Sequence, residues 1–137
     1  MSVERHKEIV HELYAVSTGA LQDWLTMHEK YFAPCEILHL PGMQPLDWQG
    51  HHDLDSHLYA AISEFRLDLE DIVAEGDKAV ARFTFSGIHS GEYHGMPATG
   101  NTIRSSGVAI YRFDKEMIVE EWYESDQLSI LSAIGAI

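Results

Sequence analysis

The chain has 137 residues, 45% hydrophobic and 23% charged, which fits one soluble domain spanning residues 1–137 and excludes a disordered or fibrous chain. Nine Lys and Arg stand against 22 Asp and Glu, a formal charge of −13, so phosphate backbones and anionic lipid surfaces are repelled and neither nucleic acid nor membrane is an expected partner. The single cysteine, Cys35, rules out an internal disulfide, and the charged start (Met1-Ser-Val-Glu-Arg-His-Lys-Glu) lacks an apolar leader, so a cytoplasmic location is expected.

Apolar residues Ile9, Val10, Leu13, Tyr14 and Ala15 recur at helical spacing, which predicts a helix over 4–16 that stops at Ser17-Thr18-Gly19. A second, short helix over about 19–29 places Leu21, Trp24, Leu25 and His28 on one side. Cys35 to Leu40 reads as a short strand, closed by Pro41-Gly42 and a loop to Gly50. From His51 to Phe65 the spacing is helical again, through Leu54, Leu58, Ala61, Ile62 and Phe65. The period then changes to two. Strands are predicted over 67–74, 79–89, 103–113 and 117–123, with turns at Glu75-Gly76-Asp77 and Asp114-Lys115-Glu116, before a closing helix over 126–134.

Helices first and a long meander second predict an α+β domain, with the N-terminal helices packed on one face of a strongly curved antiparallel or mixed sheet. With Lys115-Glu116 as a two-residue turn, strict alternation puts Ala109, Tyr111, Phe113, Ile118, Glu120 and Trp122 on one face. Val108, Ile110, Arg112, Met117, Val119, Glu121 and Tyr123 fall on the other. Both faces are partly apolar, so the one that helices leave bare calls for a second copy of the chain, and a homodimer is predicted.

Several side chains are candidates for chemistry. His39 lies between Leu38 and Leu40, where a neutral imidazole can hydrogen-bond a carbonyl or pass a proton; a satisfied core histidine is the alternative. His89 alternates onto the side of Phe83 and Phe85 and has the same two readings. Tyr14, Trp24, Phe85, Met96 and Trp122 serve either as core or as the walls of a site for a small hydrophobic molecule. Arg82 and Glu120 are predicted to pair as ions across the meander. Cys35 has no positive charge beside it and reads as a buried apolar residue rather than a nucleophile. The groups His51, His52, Asp53, His57 and His89, Glu92, His94 match no established ligand spacing, so no metal is expected. Gly91, Gly95 and Gly100 lack the spacing of a phosphate cradle.

The stretch from Ile72 to Gly100, which includes Glu75-Gly-Asp77 and His89-Ser-Gly-Glu-Tyr-His-Gly-Met-Pro97, resembles the central hairpin of SnoaL-like polyketide cyclases (ester cyclases). So does the stretch from Ile110 to Leu131, with Glu120-Glu-Trp-Tyr-Glu-Ser-Asp126. The resemblance covers residues 66 to 135 and implies the cone-shaped α+β roll of the nuclear-transport-factor-2-like superfamily. It further implies a deep pocket between sheet and helices, a homodimer, and no metal or organic cofactor. In that family an acidic residue after the last strand is the acid/base, and the matching position is Asp126, with His39 facing the pocket.

A catalytic Asp126 needs a dry surrounding, which Trp122, Leu128 and Leu131 would supply, to lift its pKa from about 3.9. Asp126 also suits the N-cap of the closing helix, and the two readings demand opposite shifts. The implied activity is acid/base chemistry, an aldol cyclisation or related proton transfer at carbon, on a hydrophobic carbonyl compound. Asp126 would move the proton, and His39 or His89 would hold the enolate oxygen. An isomerase, dehydratase or epoxide hydrolase on the same scaffold, or a non-catalytic binding module, are the alternatives.

Overall fold

The structure, a computed structural model, describes residues 2–137. Helix α1 (Val3–Val16) starts at Ser2, whose side chain accepts from the Arg5 backbone N–H, and buries Ile9, Val10, Leu13 and Tyr14 along one stripe. Full burial of each aliphatic member is worth about 1.5–3 kcal/mol, which is what holds a single surface helix onto a sheet. Helix α2 (Leu21–Tyr31) runs directly into strand β1 (Phe32–His39), and α3 (Trp48–Ala61) opens on Asp47, which caps the Gly50 N–H at 2.8 Å. The helix expected to reach Phe65 ends at Ala61, because Ile62 already pairs with His89 as the start of β2 (Ile62–Glu75).

Strands β3 (Lys78–His89), β4 (Thr102–Asp114) and β5 (Met117–Ser125) complete a five-stranded sheet in the order β1-β5-β4-β3-β2, and α4 (Gln127–Ala133) closes the chain. The sheet is mixed: β2 to β5 form the antiparallel meander, while β1 lies parallel to β5. Burial alternates cleanly along β3 and β4, with Ala79, Ala81, Phe83, Phe85, Ile103, Ala109, Tyr111 and Phe113 facing the helices. Gly107 lies opposite Phe83, and a Cβ there would sit 2.4 Å from the Phe83 ring, so only glycine lets that ring lie flat on β4.

Two register shifts in β2 and one in β5 bend the sheet around the helices. The shift in β5 has the larger consequence. Phe113 pairs with Ile118, but Arg112 pairs with Glu120, so Val119 is an extra residue and every side chain after it changes face. Glu121 and Tyr123 therefore point to the helices, beside Tyr111 and Ala109, and Glu120 and Trp122 point away. Strict alternation had assigned these four to the opposite faces. No helix of the described residues is long and apolar enough to cross a membrane.

Candidate active site

The interior between helices and sheet holds a polar cluster assembled from three elements. Glu36 of β1 is buried, and its Oε1 accepts from His28 Nε2 of α2 at 3.0 Å and from His51 Nδ1 of α3 at 2.6 Å. His51 Nε2 faces Asp55 Oδ2 one helical turn on, at 3.2 Å, and the same oxygen accepts from the Trp24 indole N–H at 2.5 Å. The rings are fixed by aromatic packing: Trp48 stacks on His28 at 4.6 Å, and Phe32 meets both His28 and His51 edge-on.

Electrostatics follow from this placement. Burial alone would raise the Glu36 carboxyl, but the hydrogen bonds from His28 and His51 outweigh it and hold Glu36 below the ordinary carboxylate value. Burial alone would lower His51, yet Asp55 and Glu36 on its two nitrogens push it well above an ordinary imidazole, so His51 is a cation between two anions.

Glu121 is the second feature. It is only 6% exposed, and among the described residues no side chain hydrogen-bonds its carboxyl. Desolvation is the largest influence on it; the His51 cation opposes the rise and the Glu36 and Asp55 charges reinforce it, leaving Glu121 at about 8. Tyr111 pairs with Glu121 across the ladder, and its hydroxyl shares a 3.0 Å hydrogen bond with that of Tyr14. Tyr14, Tyr111 and Tyr123 are all raised above the ordinary phenol value, chiefly by burial, so they stay protonated donors.

The residues singled out from sequence are dispersed by the fold. Asp126 is exposed and caps α4: its carboxylate accepts from the Ser129 backbone N–H at 3.1 Å and the Ser129 hydroxyl at 2.5 Å. Those bonds, the side-chain one first, hold Asp126 below the ordinary Asp value, the opposite of what proton transfer near neutral pH requires. Of the two readings of this residue, the cap is the one realised. His39 and Trp122 stack on each other at 5.3 Å on the outer face, where Glu120 bonds His39 Nε2 at 2.7 Å and Arg112 at 3.0 Å. Neither therefore faces the interior: Val119 turns Trp122 outward on β5, and His39 alternates with the buried Leu38 on β1. Arg82 lies opposite Asp71 and Val108, two strands from Glu120, so the expected pair between Arg82 and Glu120 does not form.

His89 is fully buried, with Nδ1 bonded to the Thr99 hydroxyl at 2.9 Å and Nε2 without a partner. Tyr14 and Phe85 are buried interior residues, Trp24 belongs to the polar cluster, and Met96 packs against the core from the loop after β3. Cys35, expected to be buried, is exposed.

Open space lies elsewhere than expected. Two surface depressions are a hollow of about 490 Å³ by Arg66, Ser86 and Thr102, and a groove against α4 by Leu128 and Ile137. Neither is bordered by Glu121. The one trio of potential metal donors among the described residues is His28, Glu36 and His51, whose donor atoms lie within 4.8 Å of one another. Neither of the clusters read from sequence forms such a group.

Comparison with known proteins agrees with this architecture. The profile of the SnoaL-like polyketide cyclase family matches residues 9–134. No curated protein matches. Among solved structures, a candidate SnoaL-like polyketide cyclase from Jannaschia sp. CCS1 superposes with a TM-score of 0.90 at 20% identity, covering 98% of this chain and 94% of that one. AclR, a candidate hydroxylase from Streptomyces galilaeus, gives 0.88 at 22% identity with 99% of both chains covered. IdmH, a candidate polyketide cyclase from Streptomyces antibioticus, gives 0.81 at 26% identity, covering 94% of this chain and 97% of that one.

Proposed function

The chain belongs to the SnoaL-like polyketide cyclase family, and from that premise we propose that it carries out proton transfer at carbon on a small hydrophobic carbonyl compound, with Glu121 as the acid/base. The observation that carries this reading is a buried carboxyl at about 8, free of side-chain partners and set beside tyrosine hydroxyls. At pH 7 roughly one tenth of Glu121 is ionised, and a base this close to the working pH is near its optimum. The carboxylate removes a proton from the carbon next to the carbonyl. The resulting enolate oxygen is held by the Tyr14–Tyr111 hydroxyl pair. The enolate carbon then bonds to an acceptor carbonyl of the same molecule, and Glu121 returns its proton to the alkoxide formed there, which balances an aldol ring closure.

The test needs no knowledge of the natural substrate. Deuterium exchange from D2O into the carbon beside the carbonyl of 2-tetralone, a benzo-fused cyclic ketone, is expected to exceed the buffer rate, to rise with pH through about 8, and to vanish in Glu121→Gln. Equal exchange in the variant defeats the assignment.

A second copy of the chain is proposed to cover the outer face of the sheet, where Ile37, Val73 and Val108 are 43%, 58% and 37% exposed. Sedimentation at micromolar concentration should show a dimer, and a monomer would remove this part of the reading.

A further inference from the structure

The geometry points to a binding site for one divalent transition metal ion of the zinc class, held by His28 Nε2, Glu36 Oε1 and His51 Nδ1 in the interior. This goes beyond the acid/base reading and does not depend on it; the resemblance to a family without cofactors gave no reason to expect it.

Four observations support the site. The donor set is two imidazoles and a carboxylate, which borderline divalent ions favour over calcium or magnesium. Metal–donor distances near 2.1 Å place neighbouring donors roughly 3 to 3.5 Å apart. Here His28 Nε2 is 3.0 Å from Glu36 Oε1, and His51 Nδ1 is 2.6 Å from it, a contact that opens by a few tenths of an ångström when an ion replaces the intervening proton.

The outer partners are also in place. His51 turns its second nitrogen to Asp55, which is itself fixed by the Trp24 N–H, the carboxylate–histidine arrangement that orients a ligating ring and makes it more basic. Glu36 holds the His28 proton on Nε2 in the metal-free chain, and Nδ1, buried without a partner, is free to take that proton when an ion displaces it.

Charge balance favours a cation of this valence. Glu36 and Asp55 are two carboxylates in a buried setting, and among the described residues no Lys or Arg pairs with either. A divalent ion supplies two positive charges against these two carboxylates.

The experiment is calorimetric titration of the metal-free full chain with Zn2+, with Co2+ as a spectroscopic probe. The expected result is one ion per chain, a visible Co2+ band of an ordered site, and movement of the His28 and His51 ring nitrogen resonances while those of His39 and His89 stay fixed. His28→Gln and His51→Gln should each weaken Zn2+ binding by about 100-fold or more. Asp55→Asn should weaken it about 10- to 100-fold through ring orientation, and His57→Gln, on the exposed side of α3, should leave it unchanged. Binding that survives in both His28→Gln and His51→Gln, or wild-type resonances of His28 and His51 that do not respond to Zn2+, overturns the site and leaves only surface histidines. The wild-type resonances decide the question if a variant does not fold.

Discussion

Replacing Glu121 by Gln keeps the shape of the side chain and removes its ionisation, and the consequence for stability can be worked from its position. Burial lifts Glu121 from the ordinary 4.5 to about 8. The unfolded chain therefore loses this proton near pH 4.5 while the folded chain keeps it until about pH 8, so the folded state is the one that binds more protons in that window. A carboxyl raised in this way costs stability as pH climbs: nothing below the unfolded value, about 3 kcal/mol at pH 7, and roughly 5 kcal/mol above pH 8, at about 1.4 kcal/mol per pH unit. Gln pays none of this. The stability difference between Glu121→Gln and wild type should thus grow steadily in favour of the variant between about pH 5 and about pH 9, reaching several kcal/mol. Urea unfolding of both proteins across that range measures it, and titrating groups not coupled to Glu121 cancel in the difference. Parallel stability profiles would refute the reasoning, because they would mean that Glu121 ionises as readily inside the fold as outside it.

The remaining predictions concern the other parts of the interior. Asp126→Ala should cost about 1 kcal/mol by loss of the α4 cap, seen in thermal unfolding, and should leave ketone exchange intact; lost exchange at unchanged stability would restore Asp126 to the chemistry. Gly107→Ala should destabilise by about 1–3 kcal/mol in chemical denaturation, since its Cβ would collide with the Phe83 ring 2.4 Å away and the Glu124 carbonyl 2.9 Å away. Glu36→Gln in the metal-free protein should cost about 3–5 kcal/mol near neutral pH by stranding the His51 cation, again read by denaturation; a cost below about 1 kcal/mol would show that His51 is neutral there.

The elements were largely legible in the sequence because their periods are clean. The helical stripe Ile9–Val10–Leu13–Tyr14 and the alternation along 79–89 and 103–113 each force one face to be buried. The site was much less so. Its acid hides behind one inserted residue: Ile118-Val119, two β-branched apolar residues in succession, break the alternation, and that break is the only local sign of the bulge that turns Glu121 inward. Read with strict alternation, Glu120 and Trp122 share the face of Ala109 and Tyr111, whereas the bulge turns them outward, where Trp122 pairs with His39, the residue that the resemblance placed toward the pocket.

The polar cluster had a different obstacle. His28, Glu36 and His51 come from α2, β1 and α3, and only the packing of Trp48 and Phe32 around them brings the three together. No spacing along the chain encodes that meeting. The motif around Asp126 was easy to find, but its Ser129 partner, three residues on, makes it a cap by the ordinary rule for helix starts.

The central claim is that Glu121 holds its proton inside the fold near neutral pH. Its side-chain carboxyl carbon, observed by NMR in protein labelled at glutamate and assigned by comparison with Glu121→Gln, reports this directly. The account predicts a midpoint near 8; a midpoint below 5, among the surface glutamates, would contradict it.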